Sequence, residues 1–174
     1  MTVRAGRAVV LALGSNLGDR RDILQGGVDA IAGLSEVRLM AVSPVYETVP
    51  VGGPPQPDYL NAVVLAETTL PSHELLDRLH EIEAAFDRVR VIRWGPRTLD
   101  IDIITVSGER SDDPELTLPH PRAHERAFVL APWHDIDPAA ELPGRGLVAD
   151  LLAGVDAAGI RQGGAPLVTP WTES

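Results

Sequence analysis

The sequence predicts an α+β fold in which an antiparallel sheet carries both core helices on one face. Two observations support this prediction: apolar β-branched runs alternate with two amphipathic stretches in the order β-α-β-β-α-β, and no internal repeat or linker divides the chain. That order is typical of the split β-α-β arrangement. A chain of 174 residues can also bury roughly two-thirds of its unfolded surface, which suits one domain.

The first half of the chain supplies three strands and a helix. Arg7–Leu13 is a short apolar run that stops at glycine, so it predicts a buried strand. Asp19–Leu34 begins with a residue that can cap a helix and continues with helical apolar spacing. Residues 37–48 and 59–69 predict two more strands. The stretch 49–58 between them holds four prolines and two glycines, which predicts a loop.

The second half supplies a helix, a strand and C-terminal additions. A helix is predicted from Ser72, because apolar residues recur there with the helical period. An arginine-rich loop at 87–98 leads into a strand at 99–106, which begins with strict alternation. After a turn, residues 125–134 and 147–152 predict two further helical segments.

Composition excludes several classes of function. The chain has no cysteine and no lysine, so it has no disulfide framework, no thiolate metal site and no lysine of a Walker-type phosphate loop. Its net charge of −10 is unlike that of nucleic-acid binders, which neutralise phosphates. No apolar run approaches the roughly 18 residues of a membrane span. We therefore expect a cytoplasmic protein that binds neither nucleic acid nor membrane.

The loop before the fourth strand is locally cationic. It holds Arg88, Arg90, Arg93 and Arg97 against the single acid Asp87. Arginine presents a planar fork of donors that matches phosphate oxygens. A solvated surface loop, paired with carboxylates elsewhere, explains the same composition equally well.

Two aspartates follow the loop at strand spacing. In Leu99–Ile103, Asp100 and Asp102 lie two residues apart, so both project from one face of a strand. Like charges held side by side repel, and a cation relieves the repulsion. Magnesium suits this role because it takes one or two carboxylates and completes its shell with waters and phosphates. Ordinary solvated acids are the alternative; the adjacent arginines favour a metal–polyphosphate site.

A second cationic patch, His120–Arg126, and three aromatic residues lie near the predicted arginine-rich loop and the two aspartates. Arg126 stands near a predicted helix start, where backbone amides favour anions, and His120 precedes it in the patch. Tyr59, Trp94 and Phe128 suit a sandwich around a flat heterocycle. Surface histidines and core packing of the aromatic residues are the alternatives.

Four segments of the chain form a characteristic combination: Ala12–Asp19 (ALGSNLGD), Gln56–Ala62 (QPDYLNA), Arg93–Asp102 (RWGPRTLDID) and Leu118–His120 (LPH). Together they resemble the 6-hydroxymethyl-7,8-dihydropterin pyrophosphokinase family of folate biosynthesis. The resemblance runs from about Val9 to Pro143, which places a core at about 8–143 of a single domain 1–174 and leaves 144–174 as a peripheral segment. It implies a ferredoxin-like fold.

The resemblance implies transfer of the pyrophosphoryl group of ATP to the pterin hydroxymethyl, releasing AMP. It implies that Asp100 and Asp102 hold two Mg²⁺ ions and act in catalysis with Arg88 and Arg97. The positions matching ATP-binding residues are Glu83, Arg88, Arg90, Trp94, Arg97, Ile103, Thr117, His120 and Arg126. Those matching pterin-binding residues are Thr48, Val51, Tyr59, Asn61, Trp94 and Phe128.

The sequence departs from the family pattern at two positions. Glu115 stands where some relatives carry an arginine toward the nucleotide, and Val49 replaces a proline. Neither departure removes a metal ligand or an aromatic residue. The alternative function is a non-catalytic ferredoxin-like domain that binds a small metabolite. A single-phosphate kinase of another hydroxymethyl heterocycle is a third interpretation. No exposed apolar stripe demands a partner, so we expect a monomer.

Overall fold

The computed structural model describes residues 6–49, 55, 57–86 and 98–171. The strands of its main sheet are β1 (Arg7–Ser15), β2 (Val37–Val42), β3 (Tyr46–Thr48), β4 (Tyr59–Thr68), β5 (Asp100–Val106) and β10 (Ile160–Gln162). This sheet is antiparallel throughout, as predicted, with the strand order β10-β3-β4-β1-β5 and with β2 also paired to β4. The first strand of the βαββαβ core is therefore flanked by the third and fourth core strands.

Helices cover both faces of this sheet. The first two pack on one face, where Leu24, Ile31, Leu75 and Leu79 form a core with Leu11 of β1. The last two pack on the opposite face, so the C-terminal additions complete a second core. The helices are α1 (Arg20–Ala32), α2 (Ser72–Phe86), α3 (Ala127–Ile136) and α4 (Val148–Ala153), with a short 3₁₀ turn at Ala123–Glu125. Within the described residues, no helix combines the length and the apolar composition that crossing a bilayer requires.

The strand predicted over 37–48 is interrupted, and this prediction is wrong in its continuity. β2 ends at Val42 and β3 begins at Tyr46. Pro44 between them has no N–H to donate to a ladder. Ser43 pins the break, because its N–H donates to the Val63 carbonyl at 2.9 Å and its Oγ accepts from the Val63 N–H at 2.8 Å.

Two small hairpins connect the larger elements. The predicted turn at 107–114 contains β6 (Ser111–Asp113), which pairs with β7 (Leu116–Leu118). A second hairpin, β8 (Glu141–Leu142) with β9 (Gly146–Leu147), precedes α4. The first hairpin matters for function, because it brings residues 114–121 beside the outer edge of β5.

The C-terminal segment packs against the sheet and α1. β10 pairs with β3 and becomes the edge of the sheet. Further on, Leu167 is buried in the core beneath α1. The Gln25 side chain exchanges two hydrogen bonds with the backbone of Val168, at 2.9 and 2.8 Å.

An ion pair at the start of β1 predicts a pH-dependent contribution to stability. Glu109 accepts from the Ser72 hydroxyl at 2.6 Å and pairs with Arg7, and these contacts lower its pKa. The stabilisation is therefore complete above the unfolded-state pKa and is lost as pH falls through the lower folded-state value. We expect Glu109→Gln to lower the free energy of unfolding by about 1 kcal/mol at pH 7.

Urea unfolding of wild type and Glu109→Gln across the acid range checks this expectation. The difference in the free energy of unfolding should shrink toward zero below the folded-state pKa. A difference that stayed constant with pH would contradict the ionic origin. Glu67→Gln, which removes the exposed pair with Arg38, provides a control with a smaller expected effect.

Candidate active site

The two aspartates of β5 project from one face of the sheet, as the strand alternation predicts. The isoleucines that alternate with them lie in the core beneath α1 and α2. Gly14 and Ala12 of β1 are the cross-strand partners of Asp100 and Asp102. Because these partners are small, the sheet surface beside the two carboxylates stays open.

Asp100 and Asp102 border two cavities at once. One, the aromatic cavity, has a volume of about 230 Å³ and is bounded by Tyr59 and Phe128. The other, the helix-side cleft, has a volume of about 330 Å³ and lies between α2, β5 and the 114–121 segment. The aromatic cavity is lined further by Ala12, Leu13, Gly14, Thr48, Asn61, Arg126 and Val129. The helix-side cleft is lined further by Leu76, His80, Glu83, Ile101, Ile103, Pro114, Glu115, Leu116, Thr117, His120 and Pro121. Ligands bound in the two cavities would meet at the two carboxylates.

A buried amide forms one wall of the aromatic cavity. Asn61 is 6% exposed, and its Nδ2 donates to the Thr48 hydroxyl at 2.7 Å. This bond fixes the orientation of the amide, because Nδ2 must face Thr48. The other amide atom, Oδ1, is then available as a hydrogen-bond acceptor. A buried, oriented amide discriminates strongly among polar ligands, because a mismatched ligand leaves it unpaired.

Gly14 sets how closely the amide approaches β1. A Cβ atom at this position would lie 3.0 Å from Asn61 Oδ1 and 3.6 Å from Tyr59 Cδ1. We therefore expect Gly14→Ala to displace the amide and to weaken binding in the aromatic cavity about tenfold. Calorimetric titration of the cavity's ligand into wild type and Gly14→Ala checks this expectation. An unchanged Kd would show that the Asn61 amide moves aside without weakening the binding of the ligand.

Arg126 joins the aromatic cavity to the aspartates. It occupies the N-cap position of α3, and its guanidinium lies 5.5 Å from the centroid of the Phe128 ring. Its Nη1 is 3.8 Å from Asp102 Oδ2. Phe128 thus holds a cation beside the carboxylate pair, where it can also contact an anionic ligand.

His120 approaches Asp102 from the other side. Burial and the positive charge of Arg126 lower the pKa of His120 to about 4, against the opposing effect of Asp100. The imidazole is therefore neutral at pH 7. Its Nδ1 accepts from the Arg122 N–H at 3.2 Å, so Nε2 carries the proton and faces Asp102 Oδ2 at 4.0 Å.

Glu83 of α2 is the third carboxyl group beside Asp100 and Asp102. Its Oε2 accepts from the Ile101 N–H at 2.9 Å. Burial, followed by the charge of Asp100 and a hydrogen bond with it, raises the pKa of Glu83 to about 8, although the Ile101 bond acts in the opposite direction. Glu83 therefore holds its proton more readily than a free carboxyl group, which limits the negative charge beside the two aspartates.

The oxygen donors at this site suit a divalent cation. Mg²⁺ prefers oxygen ligands and needs only one or two carboxylates, with waters and phosphates completing its shell. Asp100 and Asp102 supply that number on one face of one strand. Within the described residues, no group of three or more histidine, cysteine, aspartate or glutamate side chains forms a protein-only metal site. The donor set therefore fits an ion that also needs oxygens from its ligand.

The structure brings the predicted site residues that it describes around these two cavities. Five others lie outside the described residues, so their predicted roles stay predictions. The residues that border a cavity are Thr48, Tyr59, Asn61, Glu83, Asp100, Asp102, Ile103, Thr117, His120, Arg126 and Phe128. Those outside the described ranges are Val51, Arg88, Arg90, Trp94 and Arg97.

Two lining residues of α2 are absent from the set that the sequence predicts. Leu76 and His80 border the helix-side cleft together with Glu83. The three positions stand at i, i+4 and i+7, so they share one face of the helix. That spacing is visible in the sequence once Glu83 is singled out. The stronger apolar stripe that faces the core hides it.

Known proteins match this chain over most of its length. The family model described as 7,8-dihydro-6-hydroxymethylpterin-pyrophosphokinase (HPPK) matches residues 10–138. A 2-amino-4-hydroxy-6-hydroxymethyldihydropteridine pyrophosphokinase of Pseudomonas aeruginosa is 44% identical over 154 residues, which are 88% of this chain and 95% of the relative. The protein of the same name in Bacillus subtilis is 44% identical over 126 residues, covering 72% of this chain and 75% of the relative.

A solved structure supports the fold independently of close sequence identity. Wild-type Plasmodium falciparum HPPK-DHPS, crystallised with pterin and p-hydroxybenzoate, superposes with a TM-score of 0.67 at 14% identity. The match covers 88% of this chain but only 44% of the larger protein. The α+β fold predicted from the order of elements is thereby confirmed.

Proposed function

The chain belongs to the 7,8-dihydro-6-hydroxymethylpterin-pyrophosphokinase family, and from that membership we propose that it transfers the pyrophosphoryl group of ATP to 6-hydroxymethyl-7,8-dihydropterin. The products are the pterin diphosphate and AMP, in folate biosynthesis. One observation carries the proposal beyond the family name: among the described residues, Asp100 and Asp102 are the two that border both the aromatic cavity and the helix-side cleft.

The aromatic cavity has the chemistry to hold a pterin. Tyr59 and Phe128 bound a space of about 230 Å³, which suits a flat bicyclic ring stacked between aromatic side chains. The Asn61 amide, fixed by Thr48, offers an oriented acceptor to an N–H on the edge of the ring. This arrangement would leave the hydroxymethyl group toward the aspartates.

The helix-side cleft has the chemistry to hold the nucleotide. Leu76 and Ile103 supply apolar surface, and Thr117 and His80 supply polar groups along the same cleft. At its inner end, the Nε2–H of His120 can donate to phosphate oxygens near Asp102, and the guanidinium of Arg126 can do so from the aromatic cavity. A triphosphate extending inward would therefore reach the hydroxymethyl group.

In the reaction, the pterin hydroxymethyl oxygen forms a bond to the β-phosphorus of ATP. The bond between that phosphorus and the oxygen bridging to the α-phosphate breaks, so AMP leaves with the bridging oxygen. We assign the hydroxyl proton to Asp102, because its carboxylate borders both cavities and is also the one that His120 and Arg126 approach. Arg126 acts through its positive charge, and neutral His120 acts through the donor at Nε2.

Asp100 and Asp102 would hold two Mg²⁺ ions. Bound magnesium would neutralise phosphate charge and acidify a coordinated hydroxyl. Glu83, which borders the helix-side cleft beside these aspartates, is assigned to the binding of ATP. Monomeric state, cytoplasmic location and the absence of nucleic-acid or membrane partners stay predictions from the sequence.

A nucleotide product assay tests this proposal. The protein is incubated with ATP, Mg²⁺ and 6-hydroxymethyl-7,8-dihydropterin, and the nucleotides are separated by chromatography. AMP should appear in step with consumed pterin and only when a divalent metal is present. Formation of ADP instead of AMP would show that the protein transfers a single phosphoryl group rather than a pyrophosphoryl group. Unchanged ATP with bound pterin would favour a metabolite-binding domain.

A further inference from the structure

Arg20 reaches two segments that end at the aromatic cavity. It is the first residue of α1, and its Nη1 donates to the Asp58 carbonyl at 2.6 Å. The same Nη1 lies 3.6 Å from Glu47 Oε1. Glu47 precedes Thr48, the last residue of β3, and Asp58 precedes Tyr59, the first residue of β4. One guanidinium therefore contacts the immediate neighbours of two cavity-lining residues.

Arg20 makes these contacts at the end of the hydrogen-bonded pairing between β3 and β4. Thr48 and Tyr59 are the last pair in the register between β3 and β4. A terminal pair has ladder neighbours on one side only, and such ends open more readily than the middle of a sheet. The planar guanidinium can hold a carboxylate and a carbonyl simultaneously. Arg20 thereby stabilises the end of the β3–β4 pairing, whose last residues, Thr48 and Tyr59, line the aromatic cavity.

The outer side of β3 is held by the C-terminal segment. Ile160 and Arg161 of β10 pair with Thr48 and Glu47, respectively. The Arg161 Nη2 lies 3.2 Å from Glu47 Oε2. The Glu47 side chain is only 22% exposed, and guanidiniums from the two ends of the chain contact its two oxygens. Residues 160–162 also lie beyond the region, 10–138, that the family model matches.

We propose that Arg20 and Glu47 are positioning residues for the pterin, and that β10 supports them. Their contacts fix the separation between the Thr48 and Tyr59 sides of the aromatic cavity. They border neither the aromatic cavity nor the helix-side cleft themselves, so they act through the wall of one substrate's cavity. This inference rests on the proposed function, because it assigns the aromatic cavity to the pterin.

The test compares Arg20→Gln with Arg38→Gln. Arg38 and Glu67 form a cross-strand pair between β2 and β4, so the control removes a similar contact from the other end of β4. For Arg20→Gln, calorimetry should show a Kd for 6-hydroxymethyl-7,8-dihydropterin raised about tenfold. The Kd for ATP should stay within about twofold. For Arg38→Gln, neither Kd should change.

Hydrogen exchange supplies a readout that needs no substrate. In Arg20→Gln, the amides of residues 46–49 and 59–61 should exchange faster, while those of residues 9–13 in the middle of the sheet should not. The double variant Arg20→Gln/Glu47→Gln should raise the pterin Kd by less than the product of the two separate fold-changes, because both substitutions break the same Arg20–Glu47 contact.

The outcomes separate the two proposals. Equal losses of ATP and pterin binding would overturn the positioning role and indicate general destabilisation. Unchanged exchange at 46–49 and 59–61 would overturn it whether or not the protein binds a pterin. A wild-type protein that binds no pterin would instead refute the proposed function. Faster exchange in Arg20→Gln would then show only that the contacts of Arg20 with Glu47 and Asp58 stabilise the end of the sheet.

Discussion

Asp102→Asn is expected to lower the rate of AMP formation by about 1,000-fold at saturating Mg²⁺. The change removes one of the two aspartate carboxylates that border both cavities. It also removes the group to which we assign the hydroxyl proton. The shape of the side chain is preserved, and relief of the repulsion with Asp100 favours a folded protein.

Single-turnover measurements and pterin titration check this expectation together. Pterin binding should persist in Asp102→Asn, because Tyr59, Asn61 and Phe128 remain. Asp112→Asn is a matched control, since Asp112 is exposed on β6 and borders neither cavity. Turnover within a few fold of wild type would rule out a role for Asp102 in metal binding or proton transfer.

Asn61→Leu is expected to raise the Kd for the pterin about 100-fold. Leucine has a similar volume but offers no acceptor to the pterin edge. ATP binding should change little, because Asn61 does not border the helix-side cleft. Direct titration with each ligand measures both values.

Thr48→Val separates recognition from support of the amide. It removes the same Asn61–Thr48 hydrogen bond but keeps the Asn61 amide and the backbone at Thr48. We expect a rise in the pterin Kd of only about fivefold. Equal effects of the two variants would mean that Asn61 acts by holding Thr48 rather than by contacting the ligand.

The fold can be predicted closely where hydrophobic period and turn chemistry agree. α2 starts at Ser72 as predicted, and its apolar stripe faces the sheet. The break between β2 and β3 is not predicted, although Pro44 is its visible cause. β10 is not predicted either, because a three-residue strand is defined by its partner and its own sequence carries no periodic signal.

The site can be predicted in part for a related reason. Asp100 and Asp102 are evident from the sequence, since the spacing of two residues places both on one face of a strand. Their position between two cavities depends on α3 and the 114–121 segment, which pack from distant parts of the chain. Arg20 gives no signal in the sequence, because its contacts with Glu47 and Asp58 exist only after the sheet has formed.

Strand β10 also has a consequence for self-association. Without it, β3 would present its unpaired N–H and C=O groups at the border of the sheet, where a strand of another molecule could add. β10 occupies those groups and leaves a border of only three residues, one of them the charged Arg161. Short, charged borders discourage addition of further strands. We therefore expect the segment that we propose as a support for the aromatic cavity also to hinder the pairing of β3 with a strand of another molecule.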